Sequence, residues 1–281
     1  MKLSHLIDSA GNDGERKQVL TQALELWRER GDVHRVARTL MHLSDANRIL
    51  CLYEEGEQQA KEALHIFTQH NDTSRQAKTL CYLAWLWCDE QQFDAAEEAA
   101  LRVIDLLSDT GDQFRVCECH RVLGEIYYAK DRTDKAINHF ETALGIASSF
   151  DWQGQLFWIH HSLARQFSKQ GRFDDAHARI GRAKSHAIND PYYLGRAMYL
   201  EACVWYWEHR LEDAKSEVLR AVDVFEKFGA PPDRERCGAL LRAIEKMMAD
   251  ELTTSGDSDF DDESMEMVPL LTSVNPPSSV R

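Results

Sequence analysis

At 281 residues, 43 % of them hydrophobic, the chain has apolar material for a core and is not wholly disordered. Lys and Arg number 33 against 47 Asp and Glu, and this net charge of −14 argues against a duplex-binding surface, which needs clustered bases. No run approaches the roughly 20 apolar residues of a membrane span, the opening MKLSHLIDSAGNDGERKQ is too polar for a signal peptide, and seven dispersed cysteines read as reduced thiols, so a cytoplasmic protein without membrane contact is expected.

Residues 1–14 contain Leu3, Leu6 and Ile7 and are expected to be a partly ordered segment. A helix follows at about 15–30 (VLTQALELWRER). From there the chain repeats itself at a shift of 40, with turn signals at Gly31-Asp32, Asn71-Asp72, Gly111-Asp112 and Asp151, and at Asn189-Asp190 slightly early. Gly and Asn tolerate the left-handed conformation that ends helices, so these are helix stops. A second set of breaks lies between them, at Asp89-Glu90-Gln91-Gln92, Lys130-Asp131-Arg132, Gln170-Gly171-Arg172 and Glu208-His209-Arg210. Each unit is therefore two helices of about 16 residues, and five units cover about 37–230. A last helix is expected at about 233–249, which closes a repeat domain over 15–249.

The apolar residues keep the same step. Leu83-Ala84 with Trp87, Leu123-Gly124 with Tyr127, and Leu163-Ala164 with Phe167 put a large, a small and an aromatic residue on each first helix. Small residues at Ala84, Gly124, Ala164 and Ala202 let two helices approach closely. Phe93 with Ala96, Ala136 with Phe140 and Ala143, and Phe173 with Ala176 and Ala183 play the matching part on second helices. Between Ala164 and Ala202 the step tightens to 38.

These positions, above all LGEIYYAKDRTDKAINHFETALGIA, resemble the tetratricopeptide repeat, in a longer variant than the usual 34 or so residues. The resemblance implies an all-α fold, a right-handed α-solenoid of antiparallel helix pairs. Stretches such as ALELWRERGD and QFSKQGRFDDAHARI are also similar in texture to the C-terminal repeats of fungal NB-ARC signalling ATPases. Ser44 and Asn47 depart from the pattern, where a small apolar and an aromatic residue are usual, and Glu201 stands where Leu is usual. The first helix lacks a first-helix partner: either residues 1–10 supply a partial cap, or the chain is the C-terminal portion of something longer. It carries no GxxxxGK[ST] pattern, so an ATPase domain would lie outside it.

Little in the chain points to catalysis. Cys117-Glu118-Cys119-His120 is the nearest approach to a metal signature, but on a helix Cys119 points away from Cys117 and His120, and no second pair follows at a zinc-finger interval. Cys81 and Cys88 share a face without further ligands, and the neighbours His160-His161 face different ways. Asp174-Asp175 and Glu97-Glu98 stand near the starts of second helices, where acids stabilise the positive end of the helix dipole. The chain reads as non-enzymatic, with no metal and no cofactor.

The resemblance implies that the first-helix face turned away from the second helix lines an inner groove. The candidate peptide-binding residues on that face are Arg38, Arg48, Lys78, Tyr82, Trp85, Arg121, Tyr128, Trp158, His161, Arg165, Lys169, Arg196, Tyr199, Tyr206 and Trp207. Seven bases face four acids there (Asp45, Asp89, Glu118 and Glu125), and seven aromatics accompany them. Arginine with aromatics is the composition of binding hot spots, so the expected partner is a protein or peptide, acidic in character, and not nucleic acid. On the other reading, these aromatics pack on neighbouring repeats and the charges pair with one another. Residues 250–281 form an acidic tail expected to be disordered, in which Ser258, followed by Asp259 and Asp261, is a candidate phosphosite. That tail either solubilises the chain or docks on the basic face. Two functions are consistent with the sequence: a free-standing scaffold, or the ligand-sensing repeats of a larger signalling ATPase of the STAND (NB-ARC) type.

Overall fold

The computed structural model describes residues 13–107, 111–187 and 189–254. They form two compact units divided after Trp152. The first contains α1 (Asp13–Glu29), α2 (Val33–Ile49), α3 (Tyr53–Gln69), α4 (Thr73–Asp89), α5 (Phe93–Leu107), α6 (Gln113–Ala129) and α7 (Thr133–Ser149). The second contains α8 (Gln153–Lys169), α9 (Phe173–His186), α10 (Pro191–Trp207), α11 (Leu211–Phe228) and α12 (Pro231–Thr254). No strand occurs among the described residues. The candidate tail residues from 255 on, Ser258 included, and the segment before residue 13 lie outside them.

One turn design joins nearly all of these helices. A residue with positive φ recurs at Gly31, Cys51, Asn71, Gln91, Gly111, Asp131, Asp151, Gly171, His209 and Gly229, mostly at intervals of 20. The N–H of the next residue then reaches back five positions, as in Asp32 to Trp27 (3.1 Å), Leu52 to Asn47 (2.8 Å), Gln92 to Trp87 (2.7 Å) and Arg132 to Tyr127 (2.8 Å). This left-handed stop satisfies carbonyls that the helix end would otherwise leave without donors. The 38-residue step falls at α9, which has 14 residues where most of the other helices have 17.

Starts differ between the two kinds of helix. First helices α2, α4 and α6 are capped by Asp32, Asp72 and Asp112, whose carboxylates accept from the N–H of Arg35, Arg75 and Arg115, and α10 is capped by Asp190. Second helices α3, α7, α9 and α11 have no side-chain cap, but acids fill their first turns, among them Asp134, Asp174-Asp175 and Glu212-Asp213.

Within each unit a first helix packs chiefly on the second helix that follows it: α2 on α3, α4 on α5, α6 on α7, α8 on α9 and α10 on α11. Short turns between consecutive helices make these pairs antiparallel. The cores are filled by compensation of size. Ala37 and Phe67 share one buried cluster, Phe157 and Ala187 another, and Gly195 lies against the Phe225 ring. Where one helix supplies bulk, the other gives space, as close packing demands. Gly124 shows the tolerance: a Cβ there would meet the Phe140 ring at under 3.0 Å. Second helices also reach the next repeat through polar contacts, Glu57 accepting from Trp87 Nε1 (2.8 Å) and Glu97 from the Tyr127 hydroxyl (2.6 Å).

Candidate functional site

In the first unit the candidate face is built from α2, α4 and α6. Its base is a buried chain of charges: Arg16 of α1 meets Asp45 at 3.0 Å, Asp45 lies 3.5 Å from Arg48, and Arg48 meets Asp89 at 2.8 Å. Burial alone would lower the Arg48 pKa; the carboxylates of Asp89 and Asp45 outweigh it and hold the guanidinium above its ordinary range. Trp85 and Arg121 are both 5 % exposed, with the guanidinium 5.3 Å from the indole centroid. Tyr82 is buried as well, whereas Tyr128 is half-buried.

Two cations on this face differ from the rest. Arg38 is exposed and Lys78 half-buried, and neither forms an ion pair among the described residues. Lys78 Nζ lies 5.8 Å from the Tyr82 ring centroid. Burial lowers its pKa, and the positive charges of Arg115 and Arg38 add to that effect against Glu118 and Asp45. The neighbouring His42 is half-buried near Lys78, Arg16 and Arg38 and is held neutral, with its pKa lowered to about 4 by desolvation and these charges.

In the second unit α8 and α10 carry the face. Trp158 is 5 % exposed, with Phe157 edge-on at 5.0 Å and Tyr193 at 5.5 Å. Arg196, 1 % exposed, stacks its guanidinium 5.3 Å from the Trp158 ring and bonds Asp233 of α12 at 3.1 Å. His161, Arg165, Tyr199 and Tyr206 are buried too, leaving Lys169 exposed and Trp207 half-buried. Lys184 joins Glu201 and Glu217, and His177 bonds Glu208 at 3.0 Å with its ring tilted against that of Trp205 at 3.9 Å. Glu201, which departs from the repeat pattern, is thus bound to Lys184.

Ten of the fifteen candidate side chains are therefore buried, and Arg38, Lys78, Tyr128, Lys169 and Trp207 are the more accessible ones. Sequence reasoning missed Arg16 and Asp233, which lie on the flanking helices yet neutralise this layer. Asp233 was detectable as an acid 37 residues after Arg196, close to one repeat step. Asn47, another departure from the pattern, is fully buried and donates to Gln59 at 2.9 Å.

The fold is an all-α solenoid of antiparallel helix pairs, of the tetratricopeptide type. No family model and no curated protein matches the chain. Among solved structures it is similar to BtubC (BKLC) from P. vanneervenii, with a TM-score of 0.62 and 16 % identity over 78 % of this chain and 93 % of that one. It is similar also to the STAND protein with a tetratricopeptide repeat sensor from Pyrococcus horikoshii, with a TM-score of 0.64 and 16 % identity over 84 % of this chain but 37 % of that one. A Rap protein complexed with competence and sporulation factor matches at a TM-score of 0.58 and 15 % identity, over 84 % and 72 % of the two chains. Identities this low establish the likeness of fold. No described helix is long and apolar enough to cross a membrane.

Proposed function

We propose that this chain is a cytoplasmic, non-enzymatic interaction scaffold whose repeat domain, residues 15–249, binds an acidic protein segment on its first-helix face. The observation that carries the reading is the pair Arg38 and Lys78 on adjacent first helices, cations without ion-pair partners among the described residues, with Lys78 over the Tyr82 ring. Arg48 and Arg196 are already matched by Asp89 and Asp233, so an incoming carboxylate gains more from the first pair. The Rap likeness, a helical-repeat protein solved with a bound factor, supports the class of function.

Substituting Arg121 or Arg165, both 5 % exposed, would damage the core and blur a binding result. The sharper test is Arg38→Glu with Lys78→Glu in the full chain, read by fluorescence anisotropy against a labelled poly-glutamate peptide and its glutamine counterpart. A scaffold of this kind binds the acidic peptide more tightly and loses at least tenfold affinity in the variant, with helical content unchanged. Equal binding of both peptides would overturn the acidic specificity.

A second reading has its own support in the likeness to the Pyrococcus horikoshii protein, a STAND protein with a tetratricopeptide repeat sensor. On that reading these repeats sense a ligand for an attached ATPase. A nucleotide-binding domain encoded in the same transcript would favour it.

A further inference from the structure

We propose that Cys81 and Cys119 are a modification site, a thiol pair that forms a reversible disulfide between α4 and α6. The two sulfurs lie 3.2 Å apart, and both residues are fully buried. They stand on adjacent first helices that pack directly on each other, and closing the bond requires the sulfurs to approach by only about 1.2 Å. Of the other two thiols on these helices, Cys88 lies seven residues along α4 from Cys81, and Cys117 donates to the Ala143 carbonyl at 3.5 Å. Cys51 is exposed.

The oxidant is a hydroperoxide. One sulfur, as its thiolate, attacks the peroxide, the O–O bond breaks, and a sulfenic acid and one molecule of alcohol or water result. The second sulfur then displaces the sulfenic oxygen, forming the S–S bond and releasing water. Two thiols and one hydroperoxide thus give one disulfide, one alcohol or water, and one further water. The hydrogen bond with Cys81 and burial hold the Cys119 thiol well above its ordinary range, so the reaction is slow at neutral pH and faster in alkali. Once formed, the bond ties α4 to α6 beside the Trp85–Arg121 stack and fixes two neighbouring repeats against each other. A repeat array flexes between neighbours, so the crosslink stiffens this unit. The proposal is independent of what the face binds.

The test treats the full chain with hydrogen peroxide under native conditions, alkylates the remaining thiols and maps non-reduced peptides by mass spectrometry. The expected product is a peptide pair joined through Cys81 and Cys119, two hydrogens lighter than the separate thiols. It should raise the melting midpoint by several degrees and be reversed by a thiol reductant. In a Cys51→Ser background the same product should form, which separates it from crosslinks between molecules. The inference fails if Cys81 and Cys119 remain alkylatable after Cys51 has been oxidised, if they become sulfinic acids without a crosslink, or if they join other cysteines. Mapping on the unmutated chain decides the matter even if a Cys119→Ser control folds poorly.

Discussion

Arg48 of α2 and Asp89 at the end of α4 meet at 2.8 Å with side chains only 6 % and 8 % exposed, so neighbouring first helices are joined by an ion pair inside the unit. Asp45 and Arg16 extend it, each cation lying against a carboxylate. Such a chain has no cheap way to lose a member. Arg48→Ala leaves Asp89 buried beside a void and should destabilise the first unit by about 3 kcal/mol. Replacing the pair by Arg48→Met with Asp89→Leu should cost much less, since apolar groups of similar size carry no desolvation penalty. Urea unfolding followed by circular dichroism measures both, and equal losses would show that the charges contribute beyond their own burial.

Size compensation makes a prediction for the second unit. Phe157 and Ala187 share the buried core of this unit, in which Gly195 lies against the Phe225 ring. Phe157→Ala should cost about 3–5 kcal/mol by the cavity it leaves. Adding Ala187→Phe refills the space from the other helix and should recover more than half of that. Full recovery is not expected, because Phe157 also stacks on Tyr193 at 4.4 Å. If the two substitutions destabilise additively in a double-mutant cycle, these positions are not one packing unit.

The helical architecture was legible because turns recur at fixed spacing: Gly31, Asn71, Gly111 and Gly171 mark positive φ, and Asp32, Asp72 and Asp112 mark helix starts. What sequence could not supply was depth. Trp85, Trp158 and Arg196 sit at face positions by periodicity, yet whether a side chain there meets solvent depends on how closely adjacent first helices approach. The same holds for Cys119. Helical spacing turned it away from Cys117 and His120, and the neighbouring α4 then placed Cys81 against it. Contacts between repeats lie 30 to 40 residues apart in the chain and leave little trace within any one repeat.

Three turns use residues poorly suited to them. Cys51, Gln91 and His209 adopt φ of 57°, 62° and 56°, where a side chain with a Cβ costs about 1 kcal/mol relative to glycine. Gln91→Gly should therefore stabilise the first unit by about 0.5–1 kcal/mol, although glycine loosens the unfolded chain. The equivalent change at Gly31, to Gln, should destabilise by a similar amount. Paired denaturation curves check the signs, and a loss of stability in Gln91→Gly would mean that its side chain contributes contacts that outweigh the strain.

Acidification should weaken the fold before most carboxylates titrate. His42 is half-buried, and desolvation together with the positive charges of Lys78 and Arg16 lowers its pKa from 6.5 to about 4. The unfolded chain therefore binds a proton between those values that the folded chain refuses, so stability is complete above pH 6.5 and falls as pH drops toward 4. The shift corresponds to at most about 3 kcal/mol. His120 and His160, lowered to about 4 chiefly by burial, act in the same direction. His177 opposes them: burial lowers its pKa, but hydrogen bonds to Glu201 and Glu208 raise it more, so its contribution is present below pH 6.5 and fades as pH rises through its folded pKa. Unfolding free energies of the wild type and His42→Gln at pH 7, 6 and 5 separate these terms. The variant should lose less stability across that range, and parallel curves would mean that His42 takes up its proton in the folded chain.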